Sequence, residues 1–490
     1  MRLTLRGHDY KYAVEQILLM MYPEERPVYS GPTDAALSAE VSLNFGSTYA
    51  DAVTRLRANG SDFIGMSRVR RTALTDKLTT DRLLQKIIKR SFYKAAVLGT
   101  GKKPVWGALT GIRPGKIATS LLERGYPDQK ALKSLINDYD VSPERSALCL
   151  DTAKASLRVK AALGERDTAL YIGIPFCPTR CHYCSFVSHS VEKSMKLIVP
   201  FLEALYKEID ALSVVVRESS LNIIAVYIGG GTPTTLSAPQ LDSLLHKLAS
   251  SFDLSRVKEF TVEAGRPDTI TEDKLSALCH NGVSRISINP QSMSDEVLNA
   301  IGRRHTAEEV YEAMDLSRRA GFRLINMDLI AGLPGDTTEH FIKSLKAVLS
   351  LEPENITVHT LSLKKGTRLT LENTELPGAE TVGSMLDEAS SRLRRSGYVP
   401  YYLYRQKFMS GGFENVGWCR PEKESLYNIL IMEELATILA LGGGGVTKLV
   451  KLATGRIERI FNPKYPYEYI DNIDRIIENK SGITRFWSKV

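Results

Sequence analysis

The run Tyr171-Ile-Gly-Ile-Pro-Phe-Cys177-Pro-Thr-Arg-Cys181-His-Tyr-Cys184-Ser-Phe186 decides how this chain is read. A short apolar stretch with strand character leads directly into three cysteines spaced C-x3-C-x2-C on a tight loop. The chain has six cysteines in 490 residues, so three on one loop form a ligand set. Thiolates held this close call for a metal or a cluster. Iron–sulfur clusters normally take four cysteines. Three leave one iron with an open position, and by the logic that separates catalytic from structural metal sites a cofactor or substrate binds there. A Cys3His zinc site completed by His182 or His189 is the alternative. A structural disulfide fits poorly, because the cysteines are few and clustered and the start of the chain reads as a strand, not a secretory leader. Cys149, Cys279 and Cys419 lack the spacing, and each reads as a small buried hydrophobe.

Outward from that loop, strand–loop–helix units repeat. Strands are expected at 169–174, 223–228, 259–262, 285–288, 325–330 and 355–361, with helices at 195–215, 238–250, 271–281, 307–320 and 339–349. Such alternation predicts a parallel sheet with right-handed crossovers, either open and doubly wound or part of a barrel. In both architectures the active site lies at the carboxyl ends of the strands, and the cysteine loop follows the first strand. The later strands end in chemistry-bearing text. Gly229-Gly-Gly-Thr-Pro-Thr234 leaves backbone amides open to a ligand. Glu263 precedes a Gly/Pro turn, and Gln291 follows the fourth strand. Asp328 sits in an otherwise apolar strand, where an unpaired charge is costly, so it should face the mouth and find a partner.

Together these motifs resemble the radical S-adenosylmethionine (SAM) enzymes, and in particular the oxygen-independent coproporphyrinogen III oxidase family, over residues 169–448. That family reads close to Tyr-Ile-His-Ile-Pro-Phe-Cys ahead of the cluster. Gly173 replaces the histidine here, as in the longer, Firmicute-type second coproporphyrinogen dehydrogenase. The resemblance implies an α/β fold: a partial (β/α)6 TIM-like barrel with an N-terminal α/β-plus-helical extension and a C-terminal capping region. It implies a 4Fe-4S cluster on Cys177, Cys181 and Cys184, with SAM at the open iron. The matching SAM contacts are Tyr171, Phe186, Gly230, Gly231, Thr232, Glu263, Gln291, Arg303, Asp328, Leu361 and Val446, the last against a second SAM. Arg304 is the alternative to Arg303, which counting from Gln291 favours. Phe186 stands where the best-known branch carries a fourth cysteine, and aromatic residues there also occur in the heme-chaperone branch.

The implied reaction converts propionates of coproporphyrinogen III to vinyl groups, giving protoporphyrinogen IX, with reduced flavodoxin or ferredoxin as electron donor. The cofactor carries the hard chemistry, so no side chain is assigned as catalytic. Arg405, Lys407 and the tyrosines at 401, 402 and 404 are the expected porphyrinogen contacts. A heme-transfer protein on the same core is the second reading. A radical SAM enzyme acting on another substrate, such as RNA, is the third.

Composition bounds these readings. With 43% apolar and 24% charged residues the chain is an ordinary globular protein, and its length calls for two or three domains. Expected boundaries are 1–65 (small α/β), 66–165 (helical, basic), 166–372 (barrel) and 373–490 (capping and substrate region). Within the first, strands are expected at 2–6 and 39–45 and helices at 10–21 and 49–59. No apolar run approaches the roughly 20 residues of a membrane helix, and the cytoplasm is the expected compartment. The net charge of +8 is concentrated in residues 1–165, which hold 26 Lys+Arg against 17 Asp+Glu. A solvated basic face is the ordinary reading. A nucleic-acid surface near Arg68-Val-Arg-Arg71 or attraction of a tetracarboxylate substrate are the others.

Overall fold

A computed structural model describes residues 1–30, 36–184, 189–190, 194–364, 366–406 and 410–488. It divides into two compact units, Met1–Leu150 with Gly411–Phe413, and Asp151–Ser410 with Glu414–Val490.

The first unit is built on a four-stranded sheet of β1 (Arg2–Arg6), β2 (Ser38–Phe45), β3 (Tyr49–Ala58) and β4 (Ser61–Arg70), in that order. β1 and β2 are parallel; the other pairs are antiparallel. The helices Lys11–Met21 and Lys77–Thr100 share a core with the sheet through Val14, Ile17, Leu56, Ile88 and Phe92. Most of residues 49–59, expected as a helix, form β3 (Tyr49–Ala58). Ala50, Ala52, Leu56 and Ala58 are buried while Asp51, Arg55 and Arg57 are not, a period of two. Asn59 and Gly60, both with positive φ, turn the hairpin into β4, so strand pairing overrides the helix propensity of alanine.

The second unit contains the six expected parallel strands: β5 (Asp167–Ile174), β8 (Asn222–Gly230), β9 (Glu259–Gly265), β10 (Arg285–Ile288), β11 (Leu324–Ala331) and β12 (Asn355–Thr360). They are neighbours in that sequence. Two short strands, β6 (Phe176–Cys177) and β7 (His189–Ser190), pair beside the cysteine loop. Capped helices connect the long strands. Ser237 and Thr306 form complete capping boxes with Gln240 and Glu309, which fix where the helices Ala238–Ser251 and Ala307–Arg319 begin.

The C-terminal region extends this sheet at both edges. β13 (Val399–Arg405) and β14 (Glu414–Cys419) add antiparallel strands beside β12. At the opposite edge β15 (Thr437–Gly442) pairs in parallel with β5, followed by antiparallel β16 (Val446–Lys451) and β17 (Arg456–Phe461), for eleven strands in all. The helix Leu426–Glu433 contacts both β8 and β13, which lie far apart in strand order, so the sheet curls around it. Glu259, at the start of β9, anchors this helix by accepting from Ser425 Oγ (2.9 Å) and the Leu426 and Tyr427 amides (2.8 and 3.2 Å). Arg285 of β10 pairs with Glu259 at 3.5 Å and donates to the carbonyls of Lys423 and Glu424. That buried cluster closes the amino end of the barrel and leaves the carboxyl end open. No helix among the described residues is long and apolar enough to cross a membrane.

Candidate functional site

Along each parallel strand one set of alternate residues packs under the helices and the other points into the curl. On β11, Ile325, Met327 and Leu329 are buried, while Asn326 and Asp328 line a cavity of about 420 Å³ at the carboxyl ends. Tyr227 of β8, Glu263 of β9, Ser287 of β10, and Thr357 and His359 of β12 line the same cavity. Inward positions that a fully apolar barrel would fill with valine or leucine are therefore polar, and they are hydrogen-bonded to one another. Asn326 donates to Ser287 Oγ (2.7 Å) and to Asp328 Oδ1 (2.8 Å), and Thr357 donates to Asn326 Oδ1 (3.2 Å). A buried polar network satisfied in this way costs little and holds each member in one orientation.

Most of the expected site residues converge on this cavity. Cys177, Cys181, Cys184, Gly230, Gly231, Thr232, Glu263, Gln291, Arg303, Asp328 and Leu361 all line it. Tyr171 lies beneath, its ring stacked 6.3 Å from those of Tyr227 and Tyr427. Val446 begins β16, a strand beyond β15, and does not line the cavity. Phe186 lies outside the described residues. Tyr183, between the second and third cysteines, also lines the cavity. Arg303, which the count from Gln291 favours, lines the cavity, and Arg304 is exposed. Of the expected porphyrinogen contacts, Tyr402 and Tyr404 line the cavity. Tyr401 is buried in the core, Arg405 does not reach the cavity lining, and Lys407 is outside the described residues. Cys279, read as buried, is exposed; Cys149 and Cys419 are buried as expected.

The glycine turn after β8 is used differently from expectation. The amides of Gly231 and Thr232 are not bare but donate to the carbonyls of Ile174 and Phe176 at 2.7 Å each. A Cβ on Gly231 would stand 2.3 Å from the Phe176 carbonyl oxygen, so glycine is required for this turn to press against the cysteine loop. Thr232 reaches Cys177 Sγ at 3.5 Å. Gln291 adopts a left-handed backbone (φ 69°), unusual for a residue with a side chain, and its amide and carbonyl bridge to Asp328 and Ile330 of β11.

The electrostatics are sharply graded. Burial lifts the Glu263 carboxyl to about 7; the Tyr227 hydroxyl, donating to it at 2.5 Å, opposes that rise, and the nearby Asp328 charge reinforces it. Burial also works against the Asp328 charge. There the His359 imidazole, 3.6 Å away, with hydrogen bonds from Asn326 and Thr357, outweighs it and holds the carboxyl below its usual range. Arg303 donates to the Asn289 carbonyl (2.7 Å) and to Tyr183 Oη (3.3 Å). Burial disfavours its charge, but Tyr183 and Cys181 beside it more than compensate.

Two carboxyls with opposed proton affinities, a buried cation and three half-buried thiols thus share one cavity. Among the described residues no three His, Cys, Asp or Glu side chains stand close enough to hold one ion. Three half-buried thiols on one loop, all lining the cavity, are a donor set that suits an iron–sulfur cluster with one iron left open.

Comparison with known proteins agrees with this geometry. Residues 171–348 match the radical SAM superfamily. The chain is 42% identical over 386 residues to the oxygen-independent coproporphyrinogen-III oxidase-like protein HemZ of Bacillus subtilis, covering 78% of this chain and 77% of that protein. It is 33% identical over 253 residues to the heme chaperone HemW of the same bacterium, covering 50% of this chain and 64% of that one. The solved coproporphyrinogen III oxidase HemN of Escherichia coli, a radical SAM enzyme, superposes with a TM-score of 0.51 at 24% identity, covering 66% of this chain and 72% of that one, a likeness of fold. The chain belongs to the radical SAM superfamily and, within it, to the oxygen-independent coproporphyrinogen III oxidase-like family.

Proposed function

We propose that this protein oxidatively decarboxylates propionates of coproporphyrinogen III to vinyl groups, yielding protoporphyrinogen IX. The observation that carries the reading is the similarity to the oxidase-like protein of Bacillus subtilis across more than three quarters of both chains. The family works with a 4Fe-4S cluster and SAM. In this reading Cys177, Cys181 and Cys184 hold the cluster, and SAM lies between them and the ends of β8 to β12. When bound, that pair supplies one-electron chemistry able to remove a hydrogen atom from an unactivated carbon, which no side-chain acid or base can do.

The chain's own residues bind, orient and exclude water. Glu263, with a carboxyl poised near neutrality, gives up its proton when a cationic amino group comes beside it. Asp328, held ionised by His359, presents acceptor oxygens to nucleoside hydroxyls. Arg303 and Gln291 complete that side of the cavity. Tyr402, Tyr404, Gln406, Asn415 and Lys364 supply aromatic, amide and cationic groups for a flat substrate bearing carboxylates. Reduced flavodoxin or ferredoxin would deliver the electron.

Anaerobic reconstitution with iron and sulfide, followed by dithionite, SAM and coproporphyrinogen III, tests the reading through the products. Loss of two carboxyl groups per macrocycle with stoichiometric methionine supports it. A second reading, heme transfer, draws on the similarity to the heme chaperone. Tight heme binding without any substrate decarboxylation would favour that reading and refute the first.

A further inference from the structure

Thr179 lies midway between Cys177 and Cys181. Its hydroxyl accepts a hydrogen bond from Arg266 Nη1 at 2.5 Å, and its carbonyl lies 3.5 Å from the same nitrogen. The other edge of the guanidinium meets Asp268 in a two-pronged pair, Nε to Oδ1 at 2.9 Å and Nη2 to Oδ2 at 2.7 Å. Arg266 is only 2% exposed. No motif in the sequence marked it, because it sits in the turn after β9, beyond the strand-end position of Glu263.

We propose that Arg266 and Asp268 act as a clasp, a positioning pair that holds the first half of the cysteine loop in its ligand-bearing shape. This rests on the reading that the three thiols carry the cluster. The fork geometry of arginine allows one planar group to grip a carboxylate and a loop hydroxyl together, which an ammonium point charge cannot do. Burial opposes the Asp268 charge, yet the Arg266 hydrogen bonds and charge hold the carboxyl below its usual range. A buried guanidinium stripped of part of its partnership is strongly unfavourable. One side chain therefore ties the loop to the turn of the same strand that carries Glu263.

The test compares the reconstituted parent with Thr179→Val, Arg266→Lys and Asp268→Asn. Arg180→Gln serves as a control, since Arg180 is exposed on the same loop. Iron and sulfide per chain are measured first. The loss of visible cluster absorption in excess chelator is then followed with time, and circular dichroism checks the fold. Thr179→Val and Arg266→Lys should lose the cluster roughly tenfold faster than the parent, as expected for removing a charge-assisted hydrogen bond, while Arg180→Gln keeps the parent rate. Equal loss rates in folded parent and variants overturn the clasp and leave the cluster reading intact. A parent that takes up no iron overturns the cluster reading and the clasp with it. Should Arg266→Lys fail to fold, Thr179→Val decides alone, because it removes a single oxygen from a partly exposed loop.

Discussion

Replacing Glu263 with glutamine should stabilise the ligand-free chain above pH 7 and leave it little changed below pH 5. Burial, reinforced by Asp328 and opposed by the Tyr227 hydrogen bond, raises the Glu263 carboxyl from 4.5 to about 7. Between those values the folded chain keeps a proton that the unfolded chain releases, so stability falls as pH rises through that window. At 1.36 kcal/mol per unit, the displacement withdraws about 3 kcal/mol from the folded state above pH 7. Glutamine avoids this penalty, and the Tyr227 hydrogen bond is already counted in the raised value. The net expectation is a gain of about 3 kcal/mol at pH 8 that fades away below pH 5. Denaturant unfolding of the metal-free chain reads it, because Trp418 and Trp487 both report on the barrel unit. A difference between variant and parent that does not move with pH, or a variant less stable at pH 8, refutes the reasoning.

Other perturbations have equally definite outcomes. SAM affinity of the reconstituted parent, measured by calorimetry, should rise with pH up to about 7 as Glu263 ionises, and Glu263→Gln should abolish that rise. His359→Phe removes the group that holds Asp328 low, so SAM binding in that variant should weaken more steeply at mildly acidic pH than the parent's does. A Cβ at residue 173 would stand 2.5 Å from the Gly443 carbonyl oxygen, so Gly173→Ala should cost about 1–3 kcal/mol in thermal unfolding, and the family's histidine should cost more. Lys480, almost fully buried, pairs with buried Glu208 at 2.6 Å. Lys480→Met should destabilise by about 3–5 kcal/mol in denaturant titration, and adding Glu208→Gln should recover a large part of that loss.

The barrel was legible because its strands are buried on both faces and read as apolar runs ending in turn residues. The cysteines, Glu263, Gln291 and Asp328 stand at those ends, where ligands meet an open parallel sheet. Reading one step further along the alternation would have found Asn326 two residues before Asp328 and His359 two before Leu361, since all four line one cavity. Other features depend on partners distant in sequence. β15 takes its place beside β5 through the close crossing of Gly173 and Gly443, which four glycines in a row announce only as a loop. Arg266 owes its role to Thr179, 87 residues away, a pairing that no local pattern encodes. β3 was hidden by alanines whose helix propensity is real but outweighed, although Asn59-Gly60 carried the hairpin signal.

The central claim is that three thiolates hold a cluster whose remaining iron binds SAM. Electron paramagnetic resonance of the reduced, anaerobically reconstituted chain, with and without SAM, tests it most directly. The expected result is a 4Fe-4S signal whose g-values shift on adding SAM, and no such signal in Cys181→Ala. A chain that binds zinc in place of iron, or a spectrum indifferent to SAM, would contradict it.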